Sequence, residues 1–263
     1  MLDFKIINLE NLEESLRNYG KHKPFDHCVI DNFFDIDFAN KLEDEFPDYD
    51  DDSWYIYDNP LENKKALNNW NMFPQNTYLA LLTLNSDKFI SILKKSITKI
   101  LFSDSGLHGG GWHIHGKGGN LNPHLDYSIH PKCGLQRKLN LIIYLSRNLN
   151  PSKHKGHLGF WSNDDIDKQP KDLVKEIAPI FNRAVLFDTT QNSWHGFSQP
   201  LNVQDGIYRK SLAIYYLTLP TAKQDNMRAI YAPRDNQKHN KKILEIIEKR
   251  KDVHGSSEVY KIK

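Results

Sequence analysis

The stretch Tyr208-Arg209-Lys210-Ser211-Leu212-Ala213-Ile214-Tyr215-Tyr216-Leu217-Thr218 alternates with the period of an extended strand. Pleating puts Arg209, Ser211, Ala213 and Tyr215 on one face and Tyr208, Leu212 and Ile214 on the other. An inward Arg beside an inward Ser is costly unless something pairs with them. A guanidinium forks onto a carboxylate through two parallel hydrogen bonds and a hydroxyl adds a third, so this face suits the distal carboxylate of a dicarboxylic ligand. The plainer alternative is an exposed Arg on an edge strand.

Upstream, Trp112–His115, Leu121–Tyr127, Lys138–Ser146, His157–Trp161 and Arg183–Asp188 also read as strands, bounded by Gly, Pro and Asn. Helical patterns separate few of them, which argues against parallel βαβ units and leaves an antiparallel sandwich or barrel. The first third reads mainly as helix. Asp35 is a candidate N-cap with Phe38, Leu42 and Phe46 on one stripe before Pro47. Ser86 opens a second helix, with Phe89, Leu93, Ile97 and Ile100 on the buried side and Lys94, Lys95 and Lys99 mostly opposite. The acidic run 48–52 and the Asn-rich 68–71 read as surface loop. After Pro220 the chain turns basic, and Ile243, Leu244, Ile246 and Ile247 predict a short amphipathic helix docked on the domain.

Composition narrows the function classes. Over 263 residues, 35 Lys plus Arg face 33 Asp plus Glu, and a net charge of +2 supplies no field arguing for nucleic acid or an anionic membrane. Hydrophobic residues at 39% and charged residues at 26% fit a soluble globular chain. Cys28 and Cys133 are far apart and form no CxxC, so neither a disulfide framework nor a cysteine zinc site is expected, and a cytoplasmic setting is. The opening Met-Leu-Asp-Phe-Lys lacks the apolar core of a secretory leader, and no stretch reaches the ~18 apolar residues of a spanning helix.

The chemistry concentrates in Asn122-Pro-His124-Leu-Asp126-Tyr127 and Asn192-Ser-Trp-His195-Gly-Phe197. On a strand, His124 and Asp126 project from one face, and an all-β fold can return His195 beside them. Two imidazoles and one carboxylate on one face of an octahedron select non-haem Fe(II) with open positions. Alternation also aligns Asn140, Ile142 and Tyr144, so Tyr144 can offer its hydroxyl to the carboxylate held by Arg209, with plain core packing as the alternative. His113 and His115 share a strand face, and His115 is a candidate pocket residue. The near phosphate loop from Gly111 to Gly118 lacks the Ser or Thr for magnesium and cannot open a helix. A Ser-His-Asp reading fails for want of a Gly-x-Ser-x-Gly elbow.

His124-x-Asp126, His195 and Arg209-x-Ser211 are joined by Gly109-Gly-Gly-Trp-His113, Arg137-Lys-Leu-Asn-Leu-Ile-Ile-Tyr-Leu145, Pro179-Ile-Phe-Asn-Arg-Ala-Val-Leu-Phe-Asp188 and Ser193-Trp-His-Gly-Phe197. Together, over about Phe25 to Thr218, they resemble the iron- and 2-oxoglutarate-dependent dioxygenase superfamily, in its prolyl 4-hydroxylase-like branch. The resemblance implies a mainly β fold, with a double-stranded β-helix (jelly-roll) core and N-terminal helices packed on the sheet. It would be one integrated domain, divided into helical support 1–106, catalytic core 107–220 and basic extension 221–263. It implies iron on His124, Asp126 and His195, and 2-oxoglutarate on Arg209 and Ser211 with Tyr144 and Asn140 beside them. O2 completes the set, with ascorbate as a candidate accessory. The implied reaction hydroxylates a C–H bond of a small-molecule or peptidyl substrate, a prolyl residue first, releasing succinate and CO2. A non-catalytic jelly-roll ligand-binding module is the competing reading. One departure stands out. Many relatives carry Gly-Gly before the strand that ends in Leu-x-Leu-Trp, where this chain has Lys155-Gly156-His157.

Overall fold

The computed structural model describes residues 4–163, 169–221 and 228–251. The first three residues, and 222–227 and 252–263 of the expected basic extension, lie outside them. The strands are β1 (His27–Ile30), β2 (Tyr55–Asn59), β3 (Glu62–Leu67), β4 (Phe102–Ser103), β5 (Gly111–His115), β6 (Asn120–Leu121), β7 (His124–Leu125), β8 (Gln136–Tyr144), β9 (Leu158–Asn163), β10 (Pro170–Ile177), β11 (Ala184–Asp188), β12 (His195–Phe197), β13 (Arg209–Thr218) and β14 (Ile230–Tyr231). The α-helices are α1 (Leu9–Leu16), α2 (Ile36–Asp44), α3 (Gln75–Leu84), α4 (Asp87–Ser96), α5 (Pro151–His154) and α6 (Lys241–Lys251).

A major sheet runs β1-β11-β8-β13-β5-β3-β2, with β4 on β13 and β6 on β3, and a minor sheet runs β10-β9-β12-β7-β14. Every pairing is antiparallel. The pleat of the central strands builds two layers. Leu139, Leu141 and Ile143 of β8, with Leu212, Ile214 and Tyr216 of β13, join one buried cluster with Leu12, Leu42, Leu81 and Phe89 of the helices. Each fully buried Leu or Phe there contributes roughly 1.5–3 kcal/mol. On the other face, Tyr144, Val185 and Phe187 pack on Leu158 and Phe160 of the minor sheet. The fold is therefore mainly β, a double-stranded β-helix with helices packed on the outside of its major sheet.

Local chemistry explains the elements. Asp35 caps α2 by accepting from the Asp37 and Phe38 amides, and Ser86 caps α4 by accepting from Phe89. Gly111 opens β5 at φ +85°, and a Cβ there would collide with the Leu67 carbonyl oxygen and lie 2.8 Å from Asn68 Cα. The strands β3 and β5 meet closely only because that position is bare.

Three expectations change. The first third holds strands β1, β2 and β3 as well as helices, all recruited into the major sheet. The expected strand 121–127 is two, because Pro123 has no N–H to donate: β6 pairs with β3 and β7 with β12 and β14. The α4 helix ends at Ser96, so Ile100 leaves the stripe and is 44% exposed, as the chain turns to lay β4 along β13.

Candidate active site

Two residues long, β7 lies between β12 and β14, and its register sets His124 directly opposite His195 on one side and Tyr231 on the other. The two imidazole centroids are 4.2 Å apart. His124 Nδ1 lies 3.0 Å from the Asn122 carbonyl and His195 Nδ1 2.8 Å from that of Ser193. A carbonyl only accepts, so each Nδ1 carries the proton and each Nε2 presents a lone pair. Asp126, just past β7, brings Oδ1 to 3.8 Å from His124 Nε2 and Oδ2 to 3.7 Å from His195 Nε2. One ligand atom from each of the three lies within 4.8 Å of the others, and among the described residues this group could hold a metal ion.

The charges suit that use. Burial, reinforced by His195, pushes His124 down to about 3, and burial also lowers His195, so both rings stay neutral and able to ligate. Burial alone would raise Asp126, but the Arg137 guanidinium and the two imidazoles outweigh it and hold the carboxyl below its usual range. Fixed lone pairs on two neutral imidazoles beside an ionised carboxylate are the donor set Fe(II) takes.

Arg137 was not legible as a site residue. Its Nη1 lies 3.4 Å from Asp126 Oδ1, and its Cζ sits 3.6 Å from the Tyr127 ring centre and 3.3 Å from that of Tyr215. Its Nη2 donates to the His108 carbonyl at 2.8 Å. Tyr231 was missed as well; its ring stacks on His124 at 5.2 Å and 20°, and its own neighbour is Arg250 of α6, paired with buried Glu62 at 3.1 Å. Neither carries a sequence signal, because each contact joins different strands or loops, and those of Arg137 with Tyr215 and of Tyr231 with His124 join segments far apart in the chain.

A cavity of about 700 Å³ opens between the sheets, and His124, Asp126, His195, Asn140, Arg209 and Ser211 all line it. Asn140 Nδ2 approaches Asp126 Oδ2 at 3.4 Å. Tyr144 stands behind the lining, its ring centre 4.7 Å from Arg209 Cζ, its buried hydroxyl without a partner of hydrogen-bonding geometry. Ser211 pairs with Tyr144 across β13 and β8. Arg209 is 3% exposed, and its Nε donates to the Gly156 carbonyl at 2.9 Å. The departing loop thus has a local purpose: Gly156 sits at φ +71°, and a Cβ there would lie 2.6 Å from Leu201 Cδ1. His113 and His115 both face the cavity.

A family model described as the 2OG-Fe(II) oxygenase superfamily matches residues 110–217, which include all three candidate ligands and Arg209. Over that stretch the chain is similar to that superfamily. The match and the fold support a 2-oxoglutarate-dependent dioxygenase, called the oxygenase below, and the matched superfamily implies Fe(II), 2-oxoglutarate and O2. No curated protein matches the oxygenase in sequence. Its fold is similar to that of a prolyl hydroxylase from Trichoplax adhaerens, solved with a hypoxia inducible factor peptide fragment, at 18% identity and TM-score 0.56 over 80% of this chain and 90% of that one. A Pseudomonas putida prolyl-4-hydroxylase is similar at 14% identity and TM-score 0.54, over 80% of this chain and 100% of that one. Among the described residues no helix of the oxygenase is long and apolar enough to cross a membrane.

Proposed function

We propose that the oxygenase hydroxylates a C–H bond of a prolyl residue in a peptide, using Fe(II) held by His124, Asp126 and His195. The observation that carries the metal assignment is the pair of Nδ1–H groups tied to the Asn122 and Ser193 carbonyls, which fixes both Nε2 lone pairs beside one carboxylate. Bound iron would supply the oxidation, coupled to conversion of 2-oxoglutarate and O2 to succinate and CO2.

The chain's own residues bind, orient and exclude water. Arg209 and Ser211 receive the distal carboxylate of 2-oxoglutarate, with Tyr144 backing the Arg209 guanidinium from behind the lining. Asn140 and Arg137 hold the two oxygens of Asp126, and Arg137 keeps that carboxyl ionised. Phe187, 4.7 Å from the His195 ring, and Tyr231 on His124 wall the histidines off from solvent. A peptidyl proline is the substrate to try first, because both prolyl hydroxylases named above share this fold. Ascorbate belongs in the assay as reductant. Both cysteines are free, in keeping with a cytoplasmic enzyme.

The test is an anaerobic titration of Fe(II) and 2-oxoglutarate. The wild type should develop the visible charge-transfer band of the chelated complex, and in air should release succinate, more when a prolyl peptide is present. Asp126→Ala should do neither. Full succinate release by Asp126→Ala would overturn the site, and a band without succinate from the wild type would favour a binding module.

A further inference from the structure

We infer that His115 is a further binding residue for the 2-oxoglutarate tail, donating an N–H to the distal carboxylate beside Arg209; this rests on the assignment of Arg209 in the preceding section. His115 ends β5 and is 2% exposed, and neither Nδ1 nor Nε2 has a partner of good hydrogen-bonding geometry, the Arg209 backbone making only a weak contact that favours a proton on the ring. A buried imidazole with neither nitrogen well met costs free energy in the empty protein, and such a group is retained where a ligand meets it. Its side chain lines the cavity.

The register says which end of the cavity. His115 is the direct partner of Arg209 across β5 and β13, so the two side chains leave the same face of the sheet at neighbouring positions. Both reach one ring: the His115 centroid is 4.7 Å from that of Phe197, and Arg209 Cζ is 4.4 Å from the same centre. Phe197 thus marks the point where the two side chains meet, and Lys64 on the neighbouring strand also acts on the His115 ring.

The chain also keeps His115 in place. A Cβ at Gly119 would lie 2.8 Å from His115 Cβ, so the bare position lets the turn fold back against the base of the His115 side chain. That turn is pinned where the Gly118 amide donates to Leu201 O and the Leu201 amide donates to Gly119 O. Leu201 also packs against Gly156, the residue whose carbonyl fixes Arg209 Nε. Burial and then the Arg209 charge hold the imidazole neutral, so it offers one N–H donor without adding a second cation beside Arg209. Arg209 supplies charge, and His115 direction.

The experiment compares two keto acids on the full-length protein with Fe(II) under argon, reading affinity from the charge-transfer band. 2-Oxoglutarate carries the distal carboxylate and 2-oxobutanoate lacks it. His115→Phe keeps a ring and removes both nitrogens. It should weaken 2-oxoglutarate about tenfold or more, as loss of a hydrogen bond to a charged group does, and leave 2-oxobutanoate within about twofold. His115→Gln, which keeps an N–H, should recover part of the loss. Unchanged 2-oxoglutarate affinity in His115→Phe overturns the inference, and so does an equal loss for both acids. Should the Phe variant not fold, His115→Leu against His115→Gln makes the same comparison. Failure of the wild type to bind 2-oxoglutarate at all would instead sink the parent assignment.

Discussion

Arg137→Met is the sharpest single test of how the metal centre is supported. The substitution keeps an apolar stem between Tyr127 and Tyr215 and removes the guanidinium that stands 3.4 Å from Asp126 Oδ1. At that separation, two unit charges in an effective dielectric of 20 attract by about 5 kcal/mol, a ceiling before the solvation and rearrangement that follow removal. Removing groups that orient metal ligands weakens metal binding by roughly 10- to 100-fold, equivalent to ~1.4–2.7 kcal/mol, and the expected loss lies in that range. The 2.8 Å bond to the His108 carbonyl also goes, so a stability cost of about 1 kcal/mol accompanies it. The assay is anaerobic Fe(II) titration of the apo protein, with thermal unfolding alongside to separate lost binding from lost fold. Arg137→Lys keeps the charge but cannot reach Asp126 and the His108 carbonyl together, and should fall between the two. A folded Arg137→Met protein that binds Fe(II) within twofold of wild type would refute the argument.

Further outcomes follow from the same geometry. Arg209→Ala should raise the 2-oxoglutarate requirement ~10- to 100-fold in a succinate assay, since it removes a charged hydrogen-bonding group from the cavity; an unchanged requirement would place the tail elsewhere. Gly111→Ala should destabilise the protein by ~2 kcal/mol or more in urea melts, because φ +85° and the Leu67 and Asn68 backbone leave a methyl no room. Apo-protein stability should fall steadily below pH ~6.5. His113 and His124 are both pushed down to about 3, first by burial, so the unfolded chain takes up protons there that the folded chain refuses. Their contribution is intact above ~6.5 and shrinks as pH falls toward 3, by ~2 kcal/mol each at pH 5; Tm independent of pH between 5 and 8 would contradict the buried, neutral rings.

What could be read from the chain and what could not divides along physical lines. Alternation alone placed Arg209, Ser211, Asn140 and Tyr144 on inward faces, because β8 and β13 are long, central and buried on both sides. The same pattern could not find β3, whose Glu-Asn-Lys-Lys core is polar yet pairs on both edges, or β14, two residues held by partners. Pro123 is plain in the sequence, but that it hands the chain from one sheet to the other depends on where β3 and β12 lie. Arg137 is invisible locally for the reason that makes it useful: its two aromatic neighbours and its carboxylate come from two other stretches, Asp126-Tyr127 and Tyr215. The His115 imidazole faces the cavity because β5 pairs with β13 in one register, and a slip by one residue would have turned it outward.

The stacking of Tyr231 on His124 bears on how this protein should be produced and dissected. The family likeness stops at residue 217, and a fragment ending there would look complete by similarity. It would lack the ring that covers one imidazole of the proposed iron site, the Ile247 side chain packed with Leu61 behind it, and the Arg250 partner of Glu62. Such a truncation would leave the Tyr231 side of His124 open to water and take from Glu62 its buried Arg250 partner, so recombinant versions intended for activity assays should carry the chain at least through Lys251.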